Sequence, residues 1–121
     1  MRNPIRVTLC ETESFFRHAV MLWSESELES LKDYLAEHPL AGDEIPATGG
    51  VRKLRWSRHG MGKRGGARVI YYFYDASAPL YLLYAYAKGK QEDLSSLEKR
   101  AVSQVSETLK AEIKAGRRRR G

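Results

Sequence analysis

The sequence predicts an α+β fold: a small antiparallel sheet with an N-terminal helical pair and a C-terminal helix, in the order β-α-α-β-β-β-α. Three observations carry this reading. Two segments open on capping boxes, Ser24 with Glu27 and Ser95 with Glu98, and continue with helical spacing. Residues 67–87 hold two runs rich in β-branched and aromatic residues around a turn, which reads as a hairpin. Residues 51–56, VRKLRW, alternate as a half-buried strand does. Antiparallel strands with helices gathered on one side or end form an α+β domain.

Taken in order, residues 5–9 read as the first strand, with Ile5, Val7 and Leu9 at period two. Thr12 or Ser14 caps a helix that runs through Leu22, with Phe15, Phe16, Ala19, Val20 and Trp23 on its apolar side. The helix that starts at Ser24 carries Leu28, Leu31 and Leu35, and Pro39 and Gly42 end it. Residues 41–50 are a loop, 51–56 a strand, and 57–66 a Gly-rich basic connection. A strand over 67–75, a turn over 75–79 and a strand over 80–87 complete the hairpin. Leu97, Ala101, Val105 and Leu109 then mark one face of a helix to about residue 114. Residues 1–115 read as one domain, and 116–121 as a disordered basic tail.

Composition narrows the class. A chain of 121 residues buries one core without metal or disulfide support. Cys10 is the only cysteine, which excludes an intrachain disulfide and a thiolate cluster. No apolar run reaches the roughly 18 residues of a membrane span, and the first residues lack the apolar centre of a secretory signal. The expectation is a soluble cytoplasmic protein with no membrane partner. The net charge of +6 comes from 21 basic and 15 acidic residues, and four of the basic ones are residues 117–120, so the rest of the chain has an excess of only two. The acids crowd residues 11–44; the cations crowd the middle.

Residues 49–75 hold Arg52, Lys53, Arg55, Arg58, Lys63, Arg64 and Arg68, and Asp75 is their only acid. Like charges repel, so packing alone does not gather them; a polyanion does. Trp56, Tyr71, Tyr72, Phe73 and Tyr74 are interleaved with them, and bases of single-stranded RNA stack on such rings. Alternation turns Lys53 and Arg55 away from Leu54 and Trp56, and puts Arg68, Ile70, Tyr72 and Tyr74 on one face. A sheet covered on one side would show Lys53, Arg55, Arg68, Tyr86 and Lys88 together on its open side. The plainer reading is a solvated basic edge. Trp56, Tyr71 and Phe73 read as core, whereas Tyr72, Tyr84 and Tyr86 fit either core or a stacking surface. Gly49-Gly50 and Gly65-Gly66 read as turns before strands, because no GxxxxGK[ST] follows them.

Three segments, GDEIPATGGVRKLRW, GKRGGARVIYYFYD and YLLYAYAKGKQEDLSSLEK, resemble the RelE/HigB-type toxins of bacterial toxin–antitoxin pairs, closest to the HigB-like branch. The likeness covers about residues 15–109. It implies a RelE-like fold and a small endoribonuclease that cuts messenger RNA in the ribosomal A site. It implies no metal and no cofactor, and a cognate antitoxin as silencing partner. Carried over, the catalytic cations fall on Lys53, Arg55, Arg68 and Lys88. Lys90 forms a basic pair with Lys88 after the last strand, and the basic and aromatic clustering itself adds Arg52, Arg58, Lys63, Arg64, Tyr72 and Tyr86 to it as the RNA-binding set. Some relatives use a tyrosine near the C-terminus. This chain has none after Tyr86, so that role is absent or is met by Tyr86 or Tyr72.

Metal-free RNA cleavage needs a base for the ribose 2′-OH, an acid for the leaving 5′-oxygen and cations for the phosphorane. His18 and His38 lie in the acidic helical region; His59 lies in the basic loop. Lys53, among Arg52, Arg55 and Arg68, is the preferred base, because neighbouring cations favour a neutral lysine. Arg55 and Arg68 suit the scissile phosphate. The residues do not single out the acid; Lys88 and Arg68 are candidates. Two other classes remain: a ParE-like poison of DNA gyrase without catalysis, and a basic RNA-binding module. The gyrase-poison branch generally lacks the basic cluster.

Overall fold

The computed structural model describes residues 6–58, 66–89, 91 and 93–120. Its elements are β1 (Leu9–Glu11), α1 (Glu13–Leu22), α2 (Glu25–Glu37), β2 (Asp43–Glu44), β3 (Val51–Trp56), β4 (Ala67–Tyr72), β5 (Leu80–Ala87) and α3 (Ser96–Arg120). They form one sheet in the order β1-β5-β4-β3-β2. The α+β class stands, but the sheet is mixed, because β1 runs parallel to β5 while the other pairs are antiparallel. The short β2 lies in what reads from sequence as loop. The first strand is later than 5–9: Val7 N donates to Ala36 O (3.0 Å), so ladder pairing begins at Leu9. Ile5 lies outside the described residues. No described helix is long and apolar enough to cross a membrane.

Thr12, not Ser14, caps α1. Its Oγ1 accepts from Phe15 N (3.2 Å) and donates to Leu82 O (2.9 Å), which ties the helix start to β5. Phe15, Ala19 and Trp23 are buried, and Trp23 Nε1 donates to Ser57 O (3.1 Å). Phe16 and Val20 are exposed. At 100° per residue they turn to the flank of the Phe15–Ala19 stripe, so the buried side is narrower than expected. The capping box of α2 is present: Glu27 N donates to Ser24 Oγ (3.2 Å) and Ser24 N to Glu27 Oε1 (2.8 Å). Leu28, Leu31 and Leu35 are buried, as their spacing predicts.

The two helices cover one face of the sheet, sharing a core with Val69, Tyr71, Leu82 and Ala85. Tyr71 also orders the chain after α2: its hydroxyl donates to Pro39 O (2.9 Å) and accepts from Gly42 N (2.8 Å). A Cβ on Gly42 would meet Lys53 O at 2.7 Å and the Tyr71 ring at 2.8 Å, so only glycine fits this close approach.

The other face is not open, as the sequence suggested. α3 lies over it and packs Val102 and Leu109 with Ile45, Val51, Ile70, Tyr72, Leu83 and Tyr86. A bulge between Ile70 and Tyr71 sets this face. Ile70 pairs with Tyr84 and Tyr71 with Leu82, which leaves Leu83 without a partner in β4. The strand expected over 67–75 ends at Tyr72. The packed stripe of α3 is Val102, Ser106 and Leu109, rather than Leu97, Ala101 and Val105. Those three are exposed, Leu97 by 75%. Ser106 Oγ donates to Thr48 O (2.7 Å) and so locks the helix to the turn before β3.

α3 also continues past residue 114, through the stretch expected to be a disordered tail, to Arg120. The cause is an acid 42 residues away. Arg117 bonds Asp75 and Ser77, with its guanidinium 5.1 Å from the Tyr74 ring centroid. Hydrogen bonds from Arg117 and Ser77 hold the Asp75 carboxyl below its ordinary value of 3.8. A carboxylate with a depressed folded pKa stabilises the fold above its unfolded value, and the gain fades as pH falls through the folded one. Thermal melts of wild type and Asp75→Asn should therefore differ at pH 6 and converge in strong acid. Equal Tm values at pH 6 would mean that the clamp adds no stability.

Candidate functional site

Strand register decides which cations meet. Arg55 stands opposite Arg68, and Arg68 opposite Tyr86; the adjacent same-face row is Lys53, Ile70 and Tyr84. Three cations thus share the α3 face of the sheet. Two arginines directly opposite one another repel, which lowers stability unless an anion lies between them. Arg68 Nε is buried and has no hydrogen-bond acceptor among the described residues. An unsatisfied buried guanidinium N–H is costly, and a phosphate oxygen would satisfy it.

The start of α3 completes the enclosure. A cavity of about 240 Å³ is lined by Ile45, Pro46, Lys53, Tyr86, Asp93, Leu94 and Lys99. Lys53 Nζ lies 3.4 Å from Asp93 Oδ1. The preceding turn is braced by Glu98, whose Oε1 accepts from Ser95 N (2.9 Å) and Gln91 Nε2 (3.0 Å) and whose Oε2 accepts from Tyr84 OH (3.0 Å). Burial would raise the Glu98 carboxyl, but the hydrogen bonds from Ser95, Gln91 and Tyr84 outweigh it and hold the group below its ordinary value. Burial, and then the bond to Glu98, push the Tyr84 phenol up.

The other sequence-derived candidates fall in several places. Lys88 follows β5 one step beyond the Arg68–Tyr86 pair, with its N bonded to Gly66 O (3.1 Å). Arg52 is on the opposite face, where its guanidinium donates to Gly42 O (2.6 Å) and lies 3.7 Å from Glu44. Arg58 Nε donates to Leu22 O (3.2 Å) at the end of α1, away from the cavity. In these contacts Arg52 ties β3 to the loop and strand before it, and Arg58 ties the loop after β3 to the end of α1. Tyr72 is 2% exposed, with its hydroxyl buried and without a partner among the described residues, so its ring packs in the core and not as a stacking surface. Burial, then Tyr74 and Asp75, push its phenol up. Tyr86 is also buried, with an edge on the cavity. His59, Lys63, Arg64 and Lys90 lie outside the described residues. His18 bonds Ser14 O through Nδ1 (2.8 Å) and meets the Tyr84 ring edge-on at 4.7 Å.

Sequence reasoning missed Asp93 and Lys99. Their local signal is a capping box, which explains a helix start and says nothing of where that start docks. A larger hollow of about 410 Å³ between α1 and α3 is lined by His18, Leu83, Tyr84, Ala101 and Val105 among others, and contains no lysine or arginine. It offers no counter-charge to phosphate, unlike the cavity at Lys53.

Residues 40–116 match the family model described as the RelE toxin of the RelE/RelB toxin–antitoxin system. The match spans more than half of the chain and takes in β2 to β5 and most of α3, with Lys53, Arg55, Arg68 and Lys88 inside it.

Proposed function

The chain belongs to the RelE toxin family, with a cognate antitoxin as its partner, and from that membership we propose that it is a ribosome-dependent endoribonuclease. On this reading it acts in the cytoplasm, binds messenger RNA in the ribosomal A site and cuts it without a metal or cofactor. The resemblance of RKLRW, GGARVIYY and YAKGKQEDL to such toxins supports a place in the HigB-like branch.

One observation carries the reading. Arg55 and Arg68 face one another across β3 and β4, and the buried Arg68 Nε has no acceptor among the described residues. A buried guanidinium N–H of this kind is poorly explained by stability and well explained by a bound phosphodiester.

The reaction starts when the ribose 2′-oxygen attacks the adjacent phosphorus. Arg68 and Arg55 hold the non-bridging oxygens and offset the charge that builds on them. Lys53, two positions from Arg55 on the same face, accepts the 2′-OH proton. Lys88 or Arg68 protonates the leaving 5′-oxygen. The products are a 2′,3′-cyclic phosphate and a free 5′-hydroxyl. Few groups serve as acid or base here, and the ribosome compensates by holding the message in place.

Primer extension on messenger RNA after induction tests the proposal. Discrete cuts within translated codons are expected. Intact messages with broken DNA would favour the gyrase-poison reading, and intact messages with intact DNA the binding module.

A further inference from the structure

The cavity at Lys53 contains more than that lysine. Lys99, on the first turn of α3, lines it from the helix side, and Asp93 closes it. The Lys53 side chain is 29% exposed and the Asp93 side chain 71%. The lysine is thus set into the wall, while its acid reaches in from solvent. Among the described residues, the Asp93 carboxylate bonds Lys53 and no group of its own loop. Gln91 Nε2 bonds the Asp93 backbone carbonyl (2.9 Å), and Glu98 accepts from Gln91 Nε2 and Ser95 N. The carboxylate can therefore leave Lys53 without unravelling the start of α3.

Charge favours an anion in its place. Two lysines share a small polar pocket with one carboxylate, beside the Arg55–Arg68 pair on the same face. A carboxylate and a phosphodiester present similar oxygens to an ammonium. An exposed ion pair of this kind contributes little and is displaced at small cost.

We propose that Lys99 supplies a second phosphate subsite for single-stranded RNA in this cavity, next to the arginine pair, and that Asp93, paired with Lys53 across the same cavity, occupies it as a weak internal competitor until RNA displaces it. This rests on the reading of the chain as an RNA-cutting toxin, because it names where the phosphate neighbouring the scissile one is held. Lys99 acts here by binding and takes no part in proton transfer.

The test is fluorescence anisotropy with a single-stranded oligonucleotide fully 2′-O-methylated, which lacks the attacking hydroxyl. Binding is thus read apart from cleavage. Asp93→Asn should tighten binding about two- to fivefold at low salt, the size of one exposed ion pair removed from competition. Lys99→Gln should weaken it and make the log–log salt slope shallower by about 0.7, the value for one phosphate contact on a single strand. Lys99→Arg should restore the slope. Circular dichroism checks that each variant keeps its helix content. Unchanged affinity in folded Asp93→Asn, or an unchanged slope in folded Lys99→Gln, overturns the subsite. Failure of the broader reading is distinguishable: wild type would then bind the oligonucleotide but leave translated messages uncut.

Discussion

Arg68→Ala should slow cleavage of ribosome-bound message by about 10²- to 10³-fold, the usual loss when one preorganised charge is removed from a developing oxyanion. Growth arrest on induction should disappear with it. The reason lies in the strand register. Arg68 stands between Arg55 on one side and Tyr86 on the other, and its buried Nε lacks an acceptor among the described residues. No described residue accepts from that N–H, which leaves it available to a phosphate oxygen. The same geometry separates function from stability. Arg68→Met keeps the aliphatic stem against its neighbours and removes both the like-charge pair and the unsatisfied donor. Its Tm should equal or exceed that of wild type while its cleavage falls as far as that of Arg68→Ala. Antitoxin binding, measured by co-purification, should persist in both. Full growth arrest by folded Arg68→Ala would remove the residue from the catalytic group. A large drop in Tm for Arg68→Met would show that the arginine serves the fold.

Local chemistry was legible in the sequence; tertiary return was not. Ser24–Glu27 and Ser95–Glu98 are satisfied by backbone three residues away, so their capping boxes stand where the spacing predicts. Val51–Trp56 reads correctly because period two belongs to the strand itself. That period also divides Arg52 from Lys53, two adjacent cations that end on opposite faces. α3 shows the limit. Both Leu97–Ala101–Val105 and Val102–Ser106–Leu109 have helical spacing, and only the sheet's position selects the second for burial. The same docking brings Lys99 to Lys53 and Arg117 to Asp75, pairs far apart in the chain. No local pattern encodes either meeting. The expectation of an open sheet face failed for this reason, although the cations assigned to that face do lie on it at one end.

Lys53→Arg isolates proton transfer from charge. Arginine keeps a cation of similar reach and binds phosphate at least as well, but it stays protonated and accepts no proton. If Lys53 is the base, cleavage at saturating ribosome concentration should fall by about 10²- to 10⁴-fold, the range for losing one general base. The half-saturating ribosome concentration should hardly move, because every phosphate contact survives. Lys53→Ala should lose both. The position supports the role: Lys53 lines the cavity beside Tyr86, and its one described partner, Asp93, is exposed and displaceable. No histidine among the described residues lines that cavity, so the usual ribonuclease base is not at hand there. The measurement is single-turnover cleavage across a ribosome titration for the three proteins. A Lys53→Arg protein that cuts at the wild-type rate would make Lys53 an anchor for phosphate alone and move the base to another group. One that loses affinity and rate together would point to crowding of the cavity by the larger guanidinium, and Lys53→Gln, smaller and uncharged, would then separate that effect from a lost proton acceptor.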